Sequence, residues 1–234
     1  MATLNPTLLE EPRPRTDGGG VAPPHDGDGG GGDGGGFSFG DRLRRNRMGM
    51  AVALAPIVMV FVAFTSAHIL RQGLGEDWRS TELPPILWIN TVILVASSLT
   101  LELARRSLTR EAALAEVPAV PGVAPLSASP VPWLPITLVL GLGFLAGQWM
   151  ACSQLAQQGI FISSNPSSSF FYLFTGTHAI HLAGGVLALG YAVATALLSH
   201  ARERRRMVVD VTSWYWHFMA VLWIYIFALL QLAK

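Results

Sequence analysis

Cysteine and charge are both scarce in this chain. Of its 234 residues one is cysteine, Cys152, and 13% are charged, whereas 51% are hydrophobic. A single cysteine excludes an intrachain disulfide framework and a cysteine cluster that would hold zinc or an iron–sulfur centre. So little charge and so much apolar sequence are typical of a chain that crosses a membrane several times.

Long apolar runs are absent from the first 41 residues, which are rich in glycine and proline and include a glycine and aspartate tract at Gly27–Gly36. Such a segment buries too little apolar surface to offset the entropy that it would lose on ordering. Residues 1–41 are therefore interpreted as a disordered cytoplasmic tail. They do not resemble a secretory signal, because the first apolar run begins only after position 48.

Five apolar runs follow, and each is long enough for a helix that crosses a bilayer, which needs about 20 residues. Their approximate bounds are 49–70, 84–104, 133–153, 168–198 and 211–232. Pro56 lies inside the first run, where it is expected to kink the helix or to break it locally. We predict an all-α fold, a five-helix membrane domain over residues 42–234.

Arginine is distributed unevenly between the loops. Four arginines lie in 42–47, three in 105–110 and four in 202–206, and these segments share one side if the first four runs all cross. The basic residues of the other side are Arg71, Arg79 and Lys234. By the positive-inside rule, this bias of eleven to three predicts a cytoplasmic N-terminus and an external C-terminus.

Histidine is the chemically notable residue of the apolar runs. The fourth run has no charged residue, yet it contains His178 and His181, which helical spacing places on one face. Polar groups are costly in hydrocarbon, so this face should point into the protein. His181 lies about 20 Å from the outer end of its run, and His217 about 9 Å from the inner end of the last run. In a core of about 30 Å these depths nearly coincide.

These histidines have three conceivable roles: haem ligation, proton transfer, and hydrogen bonding that holds helices together. Two histidines three positions apart on one helix cannot bracket one iron, so a haem would need His217 opposite His181. We favour the structural interpretation for His178, His181 and His217.

Two other polar or aromatic residues are structural or lipid-binding candidates. Glu102 ends the second run near the cytoplasmic interface, where a carboxylate can serve as a proton antenna or as the ion-pair partner of Arg105, Arg106 or a histidine. We favour the ordinary ion pair or a solvated carboxylate. Trp216 adjoins His217 and either belongs to the interfacial aromatic belt or faces the bundle. None of these residues is predicted to be catalytic or to bind a metal.

The fourth run also contains a motif that resembles a known family. The motif Phe170-Phe171-Tyr172-x-x-Thr175-Gly176-x-His178-x-x-His181-x-x-Gly184-Gly185 is similar to the signature of subunit III of the haem-copper respiratory oxidases. Three other blocks occur in the family's order: Asn90-Thr91 with Ser97-Ser98 and Glu102; Gly141, Phe144 and Gln148 leading to Ser164-Asn165-Pro166; and Trp214-Tyr215-Trp216-His217-Phe218 with Trp223. The resemblance covers roughly Met48–Leu232.

This resemblance implies a short, five-helix bacterial form of the subunit, in a cytochrome c oxidase of the bacterial inner membrane. The chain would pack against oxidase subunit I, bind phospholipid, and support oxygen reduction and proton pumping. It would hold no cofactor itself, because haem and copper lie in the partner subunits, and it would bind no nucleic acid. The electron donor, cytochrome c or quinol, is set by other subunits.

The chain departs from the family at two carboxylates. Many relatives have glutamate where Ile57 stands, after a serine that is Pro56 here, and aspartate where Ala220 stands. Loss of both puts a proton-conducting role in doubt, and it leaves the helical scaffold undisturbed because both replacements are apolar.

Two alternatives remain open from the residues. One is a haem b membrane anchor of a quinone-linked enzyme, which the three histidines motivate. The other is an accessory subunit of a quinol oxidase or nitric oxide reductase system, which shares the same resemblance.

Overall fold

A computed structural model of the chain describes residues 39–74, 84–115, 133–198 and 201–232. In these ranges the chain forms five α-helices: α1 Phe39–Leu74, α2 Ile86–Ala115, α3 Trp133–Gln157, α4 Pro166–Leu198 and α5 Arg202–Leu232. All five are long and apolar enough to cross a membrane. The predicted all-α fold with five transmembrane helices is therefore confirmed.

Four of the helices form a closed ring, in which α2 packs on α3, α3 on α4, α4 on α5 and α5 on α2. The remaining helix, α1, lies outside the ring against α4 and α5. Its buried residues are Leu54, Phe61 and His68, spaced by seven, which is close to two helical turns. α1 thus contributes a narrow seam and leaves most of its apolar surface uncovered by the described chain.

The helices run beyond the predicted apolar runs on the arginine-rich side. α1 begins at Phe39, so residues 39–41, predicted as part of the tail, are helical. Asp41 in the first turn suits the positive end of the helix dipole. α2 continues through its arginines to Ala115, since arginine and alanine are good helix formers. Residues 1–38 of the predicted tail lie outside the described residues.

Of the kink or local break predicted at Pro56, the break does not occur, because α1 is a continuous helix through that residue. A proline in a membrane helix costs one backbone hydrogen bond, and the neighbouring helical turns are sufficient to keep the segment helical.

Two glycines of the ring make room for aromatic side chains of α5. A Cβ atom at Gly141 of α3 would lie 2.6 Å from Cη2 of Trp216, and one at Gly185 of α4 would lie 2.9 Å from Cε1 of Tyr215. At Gly184 a Cβ atom would meet nothing within 4 Å. Of the Gly184-Gly185 pair, Gly185 is therefore the residue that allows α5 to approach α4, as small residues do in membrane bundles.

Candidate functional site

A cluster of charged side chains joins α1, α2 and α5 at the arginine-rich end of the bundle. Arg47 donates two hydrogen bonds of 2.7 Å to the two carboxylate oxygens of Asp210. The Asp210 side chain is 5% exposed. Arg105 Nη1 lies 3.5 Å from Oδ1 of the same carboxylate. The start of α1, the end of α2 and the start of α5 therefore meet at one end of the bundle, as alternating crossings require.

Glu102 extends this cluster along α2. Its carboxylate accepts hydrogen bonds from Arg105 Nε at 2.8 Å and Nη2 at 2.9 Å, and from Arg106 Nε at 2.8 Å. His217 Nε2 of α5 lies 3.7 Å from Glu102 Oε2. The other ring nitrogen of His217, Nδ1, is hydrogen-bonded to Ser98 Oγ of α2. The structure thus brings Glu102 and His217 together and ties α5 to α2 through them.

This ionic cluster borders a pocket of about 610 Å³ between α1, α2 and α5. Its lining includes the charged residues Arg47, Arg105 and Glu102 and the apolar residues Leu54, Phe218 and Val221. The guanidinium of Arg47 also lies 5.8 Å from the ring centroid of Trp214. A pocket lined by charged groups together with aliphatic and aromatic side chains suits an amphipathic occupant.

Trp216 faces the interior of the ring and is fully buried. Its Nε1 donates a 3.0 Å hydrogen bond to Ser97 Oγ of α2. Two turns further along α5, Trp223 Nε1 donates a 3.0 Å hydrogen bond to Thr91 Oγ1, also of α2. The sequence leaves two positions open for Trp216, the interfacial aromatic belt or the interior of the bundle. The structure places it in the interior.

His178 lies in the core of the ring, with no exposed surface. Its imidazole centroid is 5.2 Å from that of Trp223 and 6.1 Å from that of Phe144. Neither ring nitrogen has a hydrogen-bond partner among the described residues. His178 is therefore packed as an aromatic side chain between α3 and α5.

His181 lies beside α1 rather than in the core. Its Nδ1 donates a 2.8 Å hydrogen bond to the Thr177 carbonyl of its own helix, and its ring packs edge-on against Phe61 at 6.3 Å. The hydroxyl of Tyr215 donates a 2.8 Å hydrogen bond to the backbone carbonyl of His181. Tyr215 precedes His217 by two residues, so His181 and His217 lie at similar depth on packed helices. Their rings hydrogen-bond different partners.

The Tyr215 hydroxyl is a cross-helix contact that a single substitution removes. Interhelical hydrogen bonds in membranes contribute about 0.6 kcal/mol on average and up to about 1.7 kcal/mol. Tyr215→Phe should therefore lower the thermal stability of the detergent-solubilised chain by a small, measurable amount. Tyr191→Phe is the matched control, since the hydroxyl of Tyr191 accepts its hydrogen bond from Arg204 of α5 at an exposed site. Equal unfolding temperatures for the two variants would show that the Tyr215 bond contributes no more than this exposed one.

Arg47 and Asp210 do not stand out in the sequence, although the carboxylate of Asp210 is more buried than that of Glu102. The sequence nevertheless contains a signal for this ion pair. Asp210 is a lone carboxylate at the start of an apolar run, and three arginine segments share its side of the membrane. Within the described ranges, no group of three or more histidine, cysteine, aspartate or glutamate residues is arranged to hold a metal ion.

Comparison with known proteins gives consistent results. The sequence profile of the family described as cytochrome c oxidase subunit III matches residues 46–232. A probable cytochrome c oxidase subunit 3 of Nocardia farcinica is 34% identical over 102 residues, which is 44% of this chain and 50% of the relative. The chain thus spans about half the length of this relative and of the similar mycobacterial ones.

Longer matches come from more distant relatives. The cytochrome c oxidase subunit 3 of Thermostichus vulcanus is 28% identical over 178 residues, 74% of this chain and 80% of the relative. That of Pongo pygmaeus is 26% identical over 159 residues, 66% of this chain and 54% of the relative. The profile match covers all five helices except the first turns of α1. The histidines of the signature motif and Trp216 lie within the matched range. The chain belongs to the cytochrome c oxidase subunit III family.

Proposed function

We propose that this chain is the non-catalytic subunit III of a bacterial haem-copper oxidase that accepts electrons from cytochrome c. The family match over residues 46–232 carries this proposal. Relatives from Nocardia and Mycobacterium bear the name of the same subunit of a cytochrome c oxidase. In this proposal the chain lies in the bacterial inner membrane and packs on oxidase subunit I, where oxygen is reduced and protons are pumped.

The chain itself is proposed to hold no redox centre, with haem and copper in its partner subunits. The contacts of the three histidines support this. His217 is bonded to Ser98, His181 to the Thr177 carbonyl, and His178 is packed between aromatic rings. A haem b anchor would need His181 and His217 to face a common iron, whereas their observed hydrogen bonds hold them toward different neighbours.

A scaffold role also agrees with the two missing carboxylates. Ile57, at the position of the family's glutamate, is half-buried and packs against the core. Ala220, at the position of the aspartate, is 5% exposed. Neither position offers a group that could take up a proton inside the bundle, so this subunit is proposed to support turnover without conducting protons at these sites.

Phospholipid and subunit I are the proposed occupants of the surface of α1. Large apolar side chains on this helix are well exposed, for example Val52 at 69%, Met59 at 71% and Val62 at 57%. Such a face in a membrane requires acyl chains or another apolar helix. The pocket beside Arg47 and Arg105 adds a place where a charged headgroup can meet arginine.

The orientation of the chain follows from its arginines and is testable with reporters. The ends of α1, α2 and α5 that meet around Asp210 carry the arginine-rich segments, so this end is expected to be cytoplasmic. A reporter active only outside the cytoplasm should be active when fused after Lys234 and silent when fused after Arg110. Activity at Arg110 would contradict the proposed orientation.

Assembly is tested by purification of the tagged full chain in a mild detergent, followed by identification of the co-purifying proteins. The expected partners are the haem- and copper-containing subunits of a cytochrome c oxidase. Recovery with a quinol oxidase or a nitric oxide reductase would replace the proposed complex by the corresponding alternative. Recovery of the chain alone, from membranes that contain an active oxidase, would refute the proposal.

A further inference from the structure

The two halves of α1 are attached to the rest of the bundle in different ways. In the half that lies away from the arginine-rich end, Phe61 and His68 are each only 1% exposed. The imidazole centroid of His68 lies 5.0 Å from the ring centroid of Phe170, and the ring of Phe61 stacks on that of Phe174 at 6.3 Å. Interlocking aromatic rings therefore fix this half of the helix to α4.

The arginine-rich half of α1, residues 39–55, is attached more loosely. Of these described residues, Leu54 alone is buried. The start of this half contacts α5 through the Arg47–Asp210 ion pair and through a cation–π contact of an α5 arginine with Phe39. The two-pronged ion pair is the stronger of these two contacts. The apolar side chains lose little by leaving the bundle, because lipid tails are as apolar as the helix surface that they would replace.

Pro56 lies at the junction of the two halves. Proline has no backbone N–H, so the carbonyl of Val52 lacks the hydrogen bond that residue 56 would otherwise donate to it. A bend at this position disrupts fewer hydrogen bonds than a bend at a residue whose N–H is bonded, and sharp bends of helices occur at prolines. The continuous helix that the structure shows is the state in which the ion pair is formed.

The arginine-rich half of α1 also forms part of the pocket of about 610 Å³. Arg47 and Leu54 belong to its lining, and the other lining residues come from α2 and α5. Among the described helices, α1 packs on α4 and α5 and not on α2. Movement of residues 39–55 away from α5 would therefore open the pocket to the membrane between α1 and α2.

We propose that residues 39–55 form an arm that swings about Pro56, with the Arg47–Asp210 ion pair as its latch. The closed arm covers the pocket, and the open arm makes the pocket accessible from the membrane. Asp210 keeps a partner when the arm is open, because Arg105 Nη1 lies 3.5 Å from its Oδ1. Hinges of this kind need only a few residues that absorb the bend. The proposal does not depend on the assignment of the chain to an oxidase.

The test measures distances between two spin labels by double electron–electron resonance, on the purified full chain in phosphatidylcholine nanodiscs. Cys152→Ser removes the native cysteine. The first label pair, Arg44→Cys with Thr109→Cys, joins the arm to the end of α2, and both residues are exposed. The second pair, Ile69→Cys with Met150→Cys, joins the other half of α1 to α3, again at exposed residues.

Arg47→Gln should add a second, longer distance to the first label pair and leave the second pair unchanged. Arg44 lies 12 residues, about 18 Å, from Pro56, so a bend of about 20° moves it by about 6 Å. The population at the longer distance should rise about fivefold or more. Arg106→Gln is the matched control, because it removes the same charge from a side chain that bonds only its own helix, and it should change neither distance.

Two further variants test the latch and the hinge separately. Asp210→Asn breaks the latch without leaving a buried charge unpaired, and it decides the matter if Arg47→Gln does not fold. It should produce the same longer distance. Addition of Pro56→Ala to the latch variant restores the backbone N–H at the hinge, and this change should remove most of the longer-distance population.

Three results would overturn the proposal. In a folded latch variant, an unchanged distance in the first pair would show that the ion pair does not hold the arm. Equal changes in both label pairs would show that α1 moves as a whole. A longer distance that persists after Pro56→Ala would place the bend elsewhere. Whether the chain joins an oxidase is measured separately by co-purification, so the two proposals can fail independently.

Discussion

Gly141→Val should prevent the chain from accumulating as a folded membrane protein. Even a Cβ atom at this position would lie 2.6 Å from Cη2 and 3.0 Å from Cζ2 of Trp216. Trp216 cannot move aside easily, since it is fully buried and held by its hydrogen bond to Ser97. Overpacking a well-filled core costs about 1–3 kcal/mol. Here the clash falls on a rigid indole that extends from α5 across the ring to α3, so the cost should reach the upper end of this range.

Gly143→Val is the control for this prediction. It places the same side chain in the same helix two residues away, where a Cβ atom meets nothing within 4 Å. Any cost of a β-branched residue in a helix is therefore shared by both variants. The measurement is the yield of monodisperse chain after detergent extraction, with the unfolding temperature of whatever is recovered. Similar yields for the two variants would show that the indole of Trp216 does not lie against Gly141 as described.

Removing the Arg47–Asp210 ion pair should have the second-largest effect. Arg47→Gln leaves a carboxylate that is only 5% exposed, with Arg105 at 3.5 Å as its remaining partner. Breaking a buried pair from one side costs about 3–5 kcal/mol. Because the Arg47 side chain is 39% exposed, solvent screening reduces the expected loss to about 2 kcal/mol. The loss should appear as a lower unfolding temperature and as detachment of α1, detected by protease accessibility.

Arg44→Gln tests whether the effect belongs to the pair. It removes the same charge one turn earlier on α1, at an exposed residue, and should change stability little. In addition, the double variant Arg47→Gln, Asp210→Asn should be more stable than the sum of the two single losses implies. Additive losses in this double-mutant cycle would mean that the two side chains do not interact.

The number of helices is predictable from the sequence. Each of the five apolar runs is long enough to cross a membrane, and the three arginine segments share one side if the first four runs all cross. The bounds are less predictable. Helical hydrogen bonding does not stop where hydrophobicity does, so α2 continues through its arginines and α1 begins at Phe39. Periodicity also says little about which helix neighbours which, since a helix that is apolar all round has no preferred face.

The candidate site is likewise predictable from the sequence only in part. The sequence indicates that Glu102 has arginines or a histidine in reach, and the structure places both arginines and His217 of another helix beside it. The depths of His181 and His217 are predictable from helix geometry, but the directions of their rings are not. Those directions depend on Ser98, Phe61 and the Thr177 carbonyl, and these contacts exist only once the helices are packed.

The central claim is that this chain supports an oxidase without taking part in its electron transfer. It is tested most directly by the time course of oxygen consumption by the purified oxidase, with the chain present and after its removal. We expect the initial rate to be nearly the same in both preparations, and the activity to decline sooner during turnover when the chain is missing. An oxidase that retains its haem and copper but reduces no oxygen from the start without this chain would contradict the claim.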